Sequence, residues 1–214
     1  MKTKRNVIEA PFGETTVLLH TCCAPCSSAI IEAMMQNGIT PVIYYCNPNI
    51  YPKEEYEIRK DECTRYAKAL GLEIVDADYD HENWLEAMKG LENEPERGSR
   101  CLKCFKLRLL RTALYARQRG IKVLTTTLAS SRWKSLDQIN EAGLWACQQI
   151  QAVESQPEED GSPVVSPVFW TNNWRKGGLQ ERRLQIIKEY DFYNQQYCGC
   201  EFSMSKPSAV SGNE

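Results

Sequence analysis

TTVLLHTCCAPC, Thr15 to Cys26, is the stretch from which the fold is read. Apart from His20, its first seven residues are Thr, Val and Leu, the composition of a strand buried on both faces. Adjacent Cys22 and Cys23 end that strand. Pro25 then falls in the first turn of a helix running to Gln36, with Gly38 just beyond its end. The same alternation continues outward. Thr40–Cys46 is a second strand, Lys53–Leu70 a charged amphipathic helix closed by Gly71, and Leu72–Val75 a third strand. Asn83–Lys89 reads as a short helix, and Ser99 caps a long one that reaches Arg119 before Gly120. Ile121–Thr127 is strand four, Ser135–Ile150 a helix, Gln156–Ser162 a polar loop, Val164–Phe169 strand five and Leu179–Tyr190 the last helix. Strands alternating with helices predict an α/β fold, a five-stranded parallel sheet with helices on both faces. Ligands bind such sheets beyond the carboxyl ends of the strands, at the topological switch point. The ends of strands one and two carry Cys22, Cys23 and Cys46.

At 214 residues, 42% hydrophobic and 25% charged, the chain has the size and composition of one ordinary globular domain. The boundaries expected are an extension over 1–14, a single α/β catalytic domain over 15–202 and a patternless, disordered tail over 203–214. No apolar run approaches the roughly 18–20 residues of a membrane helix, and Met1–Thr21 lacks the pattern of a secretory leader. A cytoplasmic protein with no membrane partner is expected. Against a reducing cytosol, ten cysteines point to metal binding or redox chemistry, because structural disulfides do not persist there. Net charge is −2, yet the stretch 97–119 carries eight bases and no acid. That run reads either as a docking face for a polyanion or as a solvated helix face balanced by the acidic segment before it.

The cysteines fall into groups. Cys22, Cys23 and Cys26 sit together, Cys101 and Cys104 form a second group, and Cys198 and Cys200 a third. Cys101 and Cys104 lie three apart on a predicted helix and share a face. Two plus two thiolates satisfy either tetrahedral zinc or a 4Fe–4S cluster. Cys26 opens a helix and completes a C-x-x-C with Cys23, so it is a ligand, a second reactive thiol or a small core residue. The YCGC of Tyr197–Cys200 can bridge only if Gly199 bends the chain, and a bridge in so small a ring is readily reduced, unless these two are further metal ligands. Cys63 and Cys147 read as core. His20 and Asp137 are the candidate proton donors, and Trp170, Trp174 and Tyr197 are candidate stacking partners for a nucleobase.

With HTCCAPC (His20–Cys26), CNPNIYP (Cys46–Pro52), CLKC (Cys101–Cys104), TLASSRWKS (Thr127–Ser135) and YCGC in this order, the sequence resembles the QueH family of epoxyqueuosine reductases. The resemblance implies reduction of the epoxide of epoxyqueuosine at the tRNA wobble position, the last step of queuosine synthesis, without cobalamin. It implies a HUP-type sheet, a 4Fe–4S cluster on Cys22, Cys23, Cys101 and Cys104, and a redox-active pair at Cys198 and Cys200. An additional iron, with Cys26 or an aspartate as ligand, is the further cofactor considered. The partners implied are tRNA carrying epoxyqueuosine and an external electron donor. TCCAPC fills the place of the phosphate loop found in ATP-using relatives of the fold, so nucleotide hydrolysis is not expected. Two other readings compete: a tRNA sulfur-transfer enzyme on the same sheet, and a non-enzymatic, zinc-stabilised RNA-binding module.

Overall fold

The structure, a computed structural model, describes residues 7–153, 166–195 and 197–204. Five strands, β1 (Thr16–Thr21), β2 (Thr40–Tyr45), β3 (Ile74–Asp76), β4 (Val123–Thr126) and β5 (Val168–Phe169), form one sheet in the order β3-β2-β1-β4-β5. Every pairing is parallel. β1 is buried from Val17 onward and β4 throughout, as a central parallel strand must be when helices cover both faces. The α/β architecture read from the sequence is borne out, and it is compatible with the HUP-type sheet.

The chain steps from β1 outward to β3, then returns to pair β4 on the other side of β1. Right-handed crossovers travelling in opposite directions place their helices on opposite faces. Accordingly α1 (Ala24–Gln36) packs on α2 (Lys53–Ala69) and on α6 (Leu179–Glu189), while α4 (Ser99–Gln118) packs on α5 (Leu136–Val153). The reversal puts the switch point between the carboxyl ends of β1 and β4, at Cys22 and Thr127. Two short helices, α3 (His81–Met88) and α7 (Glu201–Met204), close over that end. No helix among the described residues is long and apolar enough to cross a membrane.

Several element boundaries differ from the sequence expectation, for local reasons. The third strand starts at Ile74 because the Leu72 N–H turns back to Ala67 O at 2.9 Å, closing α2 around Gly71 with φ of 67°. Ser99 does not cap α4. Gly98 holds that position, and the Glu94 carboxylate accepts the Ser99 N–H at 3.2 Å. α3 begins at His81, two residues early. α7 runs two residues into the segment expected as tail, while Gln156–Ser162 and 205–214 lie outside the described residues.

Candidate active site

The turn leaving β1 brings three sulfurs together. Those of Cys22, Cys23 and Cys26 all lie within 4.8 Å of one another, a set able to hold a metal ion. Adjacent cysteines manage this because β1 ends at Thr21, the chain bends at Cys22, and Cys23, extended with φ −170° and ψ 159°, is the N-cap of α1. Pro25 needs no backbone partner in the first helical turn. Thr127, at the end of β4, ties the turn down: its hydroxyl accepts the Cys22 N–H at 3.2 Å and lies 3.4 Å from Cys22 Sγ. Within the trio Cys22 ionises first. Its thiol is held well below the usual value by hydrogen bonds from Cys23 and then Cys26. Burial pushes Cys23 well up, and the bond it shares with Cys22 pushes Cys26 up to about 12.

Cys101, Cys104, Cys198 and Cys200 line a cleft formed by α4, the loop before α5 and the C-terminal segment. The helical spacing predicted for Cys101 and Cys104 is what the structure shows. Burial raises the thiols of both, against Arg108 beside Cys104, and pushes Cys200 up to about 12. The Cys198–Cys200 segment is not a loose arm. Cys200 bridges Ile50, Tyr51 N–H donates to Gly199 O at 2.8 Å, and buried Arg59 donates to the carbonyls of Tyr197 and Cys198 at 3.2 and 3.3 Å. Arg59 is itself aimed by Glu55 at 2.7 Å.

A lysine joins the two thiol groups. Lys134 lines the cleft, and although burial works against its charge, Cys198 and then Cys22 and Cys26 outweigh burial and raise its pKa. Among the described residues no carboxylate is paired with it. Buried Arg108 donates to Cys46 O at 3.1 Å and to Asn47 Oδ1, and Asn47 in turn donates to Thr21 O at 2.9 Å, so the ends of β1, β2 and α4 are locked together. His20, considered from sequence as a proton donor, has both ring nitrogens engaged within the protein. It is fully buried between Thr126 Oγ1 (2.7 Å) and Cys46 O (3.1 Å), and burial, then Arg108, lowers its pKa to about 3. Asp137 is exposed on the first turn of α5.

The four cysteines expected as cluster ligands do not form one tight group; the trio holds Cys26 in place of Cys101 and Cys104. Each of the four does have a hydrogen-bond partner of its own. Gln195 Nε2 donates to Cys23 Sγ at 2.9 Å, the Arg97 N–H to Cys101 Sγ at 3.3 Å and Trp84 Nε1 to Cys104 Sγ at 3.3 Å, with Thr127 beside Cys22. Donors aimed at sulfur favour the thiolate and orient it, as partners of metal ligands do. A four-iron cube also spreads its thiolates further apart than a single ion does. The donor set therefore fits a thiolate-bound metal centre. Sequence reasoning had no signal for Gln195 or Trp84, since neither falls in a motif; Lys134 lies in TLASSRWKS but is not singled out there. Trp174 is buried and donates to Thr125, which removes it as a stacking partner; exposed Trp133 lines the cleft instead.

The family model described as "Epoxyqueuosine reductase QueH" matches residues 17–206. Curated proteins named epoxyqueuosine reductase QueH are similar over nearly the whole chain. The one from Histophilus somni is 44% identical over 200 residues, 94% of this chain and 76% of that protein. The Haemophilus influenzae protein is 44% identical over the same shares, and that of Acinetobacter baylyi 43% over 95% of this chain and 87% of its own.

Proposed function

From the premise that the chain belongs to the QueH family of epoxyqueuosine reductases, we propose that it reduces the epoxide of epoxyqueuosine at the wobble position of tRNA to give queuosine. It would do so as a cytoplasmic enzyme, with residues 15–202 as the catalytic domain. The reaction breaks two C–O bonds, forms a C=C bond and releases the oxygen as water, so it consumes two electrons and two protons. Oxidation of the Cys198/Cys200 dithiol to a disulfide supplies both, and an external electron donor restores the dithiol. Cys22, Cys23, Cys101 and Cys104 would hold a 4Fe–4S cluster, and Cys26 would be the thiol through which an additional iron is held. When bound, such a cluster would supply single electrons, and the additional iron would supply a Lewis acid. The protein's own work is to position: Lys134, an ammonium without a carboxylate partner, donates a hydrogen bond to the epoxide oxygen in the cleft, and Arg59 keeps the Cys198–Cys200 turn at its edge.

The observation that supports the ligand assignment is the separate hydrogen-bond partner on each of the four sulfurs. Anaerobically purified protein should contain about four acid-labile sulfides per chain, with four irons for the cluster alone or five with the additional iron, and convert epoxyqueuosine in tRNA, read by mass spectrometry of nucleosides. Cys101→Ala and Cys104→Ala should lose iron and activity together. Cys198→Ser and Cys200→Ser should keep the iron and bind tRNA yet fail at multiple turnover. Full iron in either alanine variant strikes that cysteine from the ligand set, and iron loss in the serine variants makes the pair ligands instead of an electron store.

A further inference from the structure

Two side-chain amide oxygens beside the cysteine cleft have no partner among the described residues, Asn49 Oδ1 and Gln138 Oε1. Asn49 is 3% exposed. Its neighbours are fixed on both sides: Pro48 O is 2.7 Å from His81 Nδ1, and Ile50 pairs with Cys200. The Gln138 amide is oriented by its own nitrogen, which donates to Arg97 O at 2.8 Å and leaves the oxygen as the unmatched atom. Buried polar atoms are normally satisfied. Arg100 Nε, a donor, is a third unmatched atom in this cleft, but the two acceptors call for a donor that arrives from outside.

The chemistry of that donor follows from the place. Cys101, Cys104 and Cys198 line the same cleft, so whatever meets these oxygens lies next to the reacting part of the substrate. The epoxide oxygen carries no proton and satisfies neither acceptor. The cyclopentane ring that bears the epoxide also carries two hydroxyls, and each of these is a donor. Resting on the reductase reading of this cleft, we propose that Asn49 and Gln138 are specificity-determining residues that accept hydrogen bonds from the two ring hydroxyls. Two acceptors and two donors then match, and the ring is held in one orientation, its epoxide toward the thiols. A substrate without the ring leaves both acceptors buried and unmatched, which is how a polar site rejects an incomplete ligand.

The test compares two anticodon stem–loops on the full-length, anaerobically purified protein. One carries queuosine at the wobble position, which has the ring and both hydroxyls but no epoxide to react. The other carries 7-aminomethyl-7-deazaguanine, which ends before the ring. Wild-type protein should prefer the first. Asn49→Ala should weaken binding of the queuosine stem–loop about tenfold, the scale of one hydrogen bond lost, and leave the other stem–loop unchanged. Gln138→Met should act in the same direction, and Asn49→Asp, which keeps acceptor oxygens, should restore the preference. Equal weakening of both stem–loops would mean a general RNA contact or a folding defect. Unchanged affinities would mean that the oxygens hold only water, and a wild type without preference removes the ring as ligand; each of these results overturns the assignment. Reduction of epoxyqueuosine by the same wild-type preparation is measured separately. If reduction is intact while the preference survives Asn49→Ala, this inference alone falls. If reduction is absent, the reading of the site falls.

Discussion

Gly199 has φ of +100°, and a Cβ there would stand 2.9 Å from Ile50 Cγ1 and 3.1 Å from the Arg59 guanidinium. The sequence showed that a C-x-C needs a bend and that glycine makes the bend cheap. It did not show that the bend is already pinned by Arg59 and Tyr51, contacts that reach across well over a hundred residues and leave no local signature. Gly199→Val therefore meets both an unfavourable backbone region and a side-chain overlap, at a local cost of about 1–3 kcal/mol. The expected outcome is iron content like wild type with multiple turnover lost, and a milder loss in Gly199→Ala. Wild-type turnover in the valine variant would show that the Cys198–Cys200 geometry is not used in reduction.

At the scale of elements, α4 shows what a charge count can and cannot see. Eight bases over 97–119 suggested a docking face, but helical periodicity turns much of the run inward or into pairs. Arg100 and Arg108 are buried, and Arg100 donates to the carbonyls of Leu91, Glu92 and Glu94. Arg97 holds the carbonyls of Arg132 and Trp133, Lys106 pairs with Glu141, and Arg119 pairs with Glu73. Arg108 braces the strand ends, and Arg111 is engaged by Asp78 O and the Asp80 carboxylate. Arg108→Gln should cost about 2–4 kcal/mol of stability by leaving buried acceptors unmatched. Lys103 on α4 and Arg132 before α5 remain exposed, and these two are the ones to test as phosphate contacts. Lys103→Gln and Arg132→Gln should each reduce the slope of log affinity against log salt by about 0.7–0.9 if the residue makes one phosphate contact, with thermal stability unchanged. Slopes identical to wild type would move the tRNA contact to another face. The strand–helix order was legible because hydrophobic period and turn residues are local signals. The fate of each arginine was not, because its partners come from other elements.

Over the whole molecule, three distant segments meet at one end of the sheet: the turn after β1, the first turns of α4 and the residues before α7. A metal held by the proposed ligands there would cross-link the domain, and its pH dependence would follow from the thiols. Cys23, Cys101 and Cys104 are raised by burial, as is Cys200, which reaches about 12; Cys26, tied to Cys22, also reaches about 12. Near neutral pH these groups are protonated in the metal-free fold, whereas a ligand must be a thiolate, so uptake of metal releases protons. The sign is then fixed. Below the thiol pKa values affinity rises with pH, by about a factor of ten per unit for each proton released, and the stabilisation that bound metal gives the fold rises with it. The metal-free protein behaves in the opposite sense. A raised folded-state pKa contributes stability that is complete below the unfolded value near 9, and that contribution is lost as pH climbs through about 12. Thermal unfolding of loaded and metal-free protein at pH 6.5 and 8.5, under argon with excess iron and sulfide held constant, reads both trends. The gap in Tm between the two forms should widen at the higher pH, and weakly buffered protein should acidify as metal is added. A gap that stays constant, with no acidification, would place the metal on groups already ionised at neutral pH and remove the buried cysteines from the ligand set.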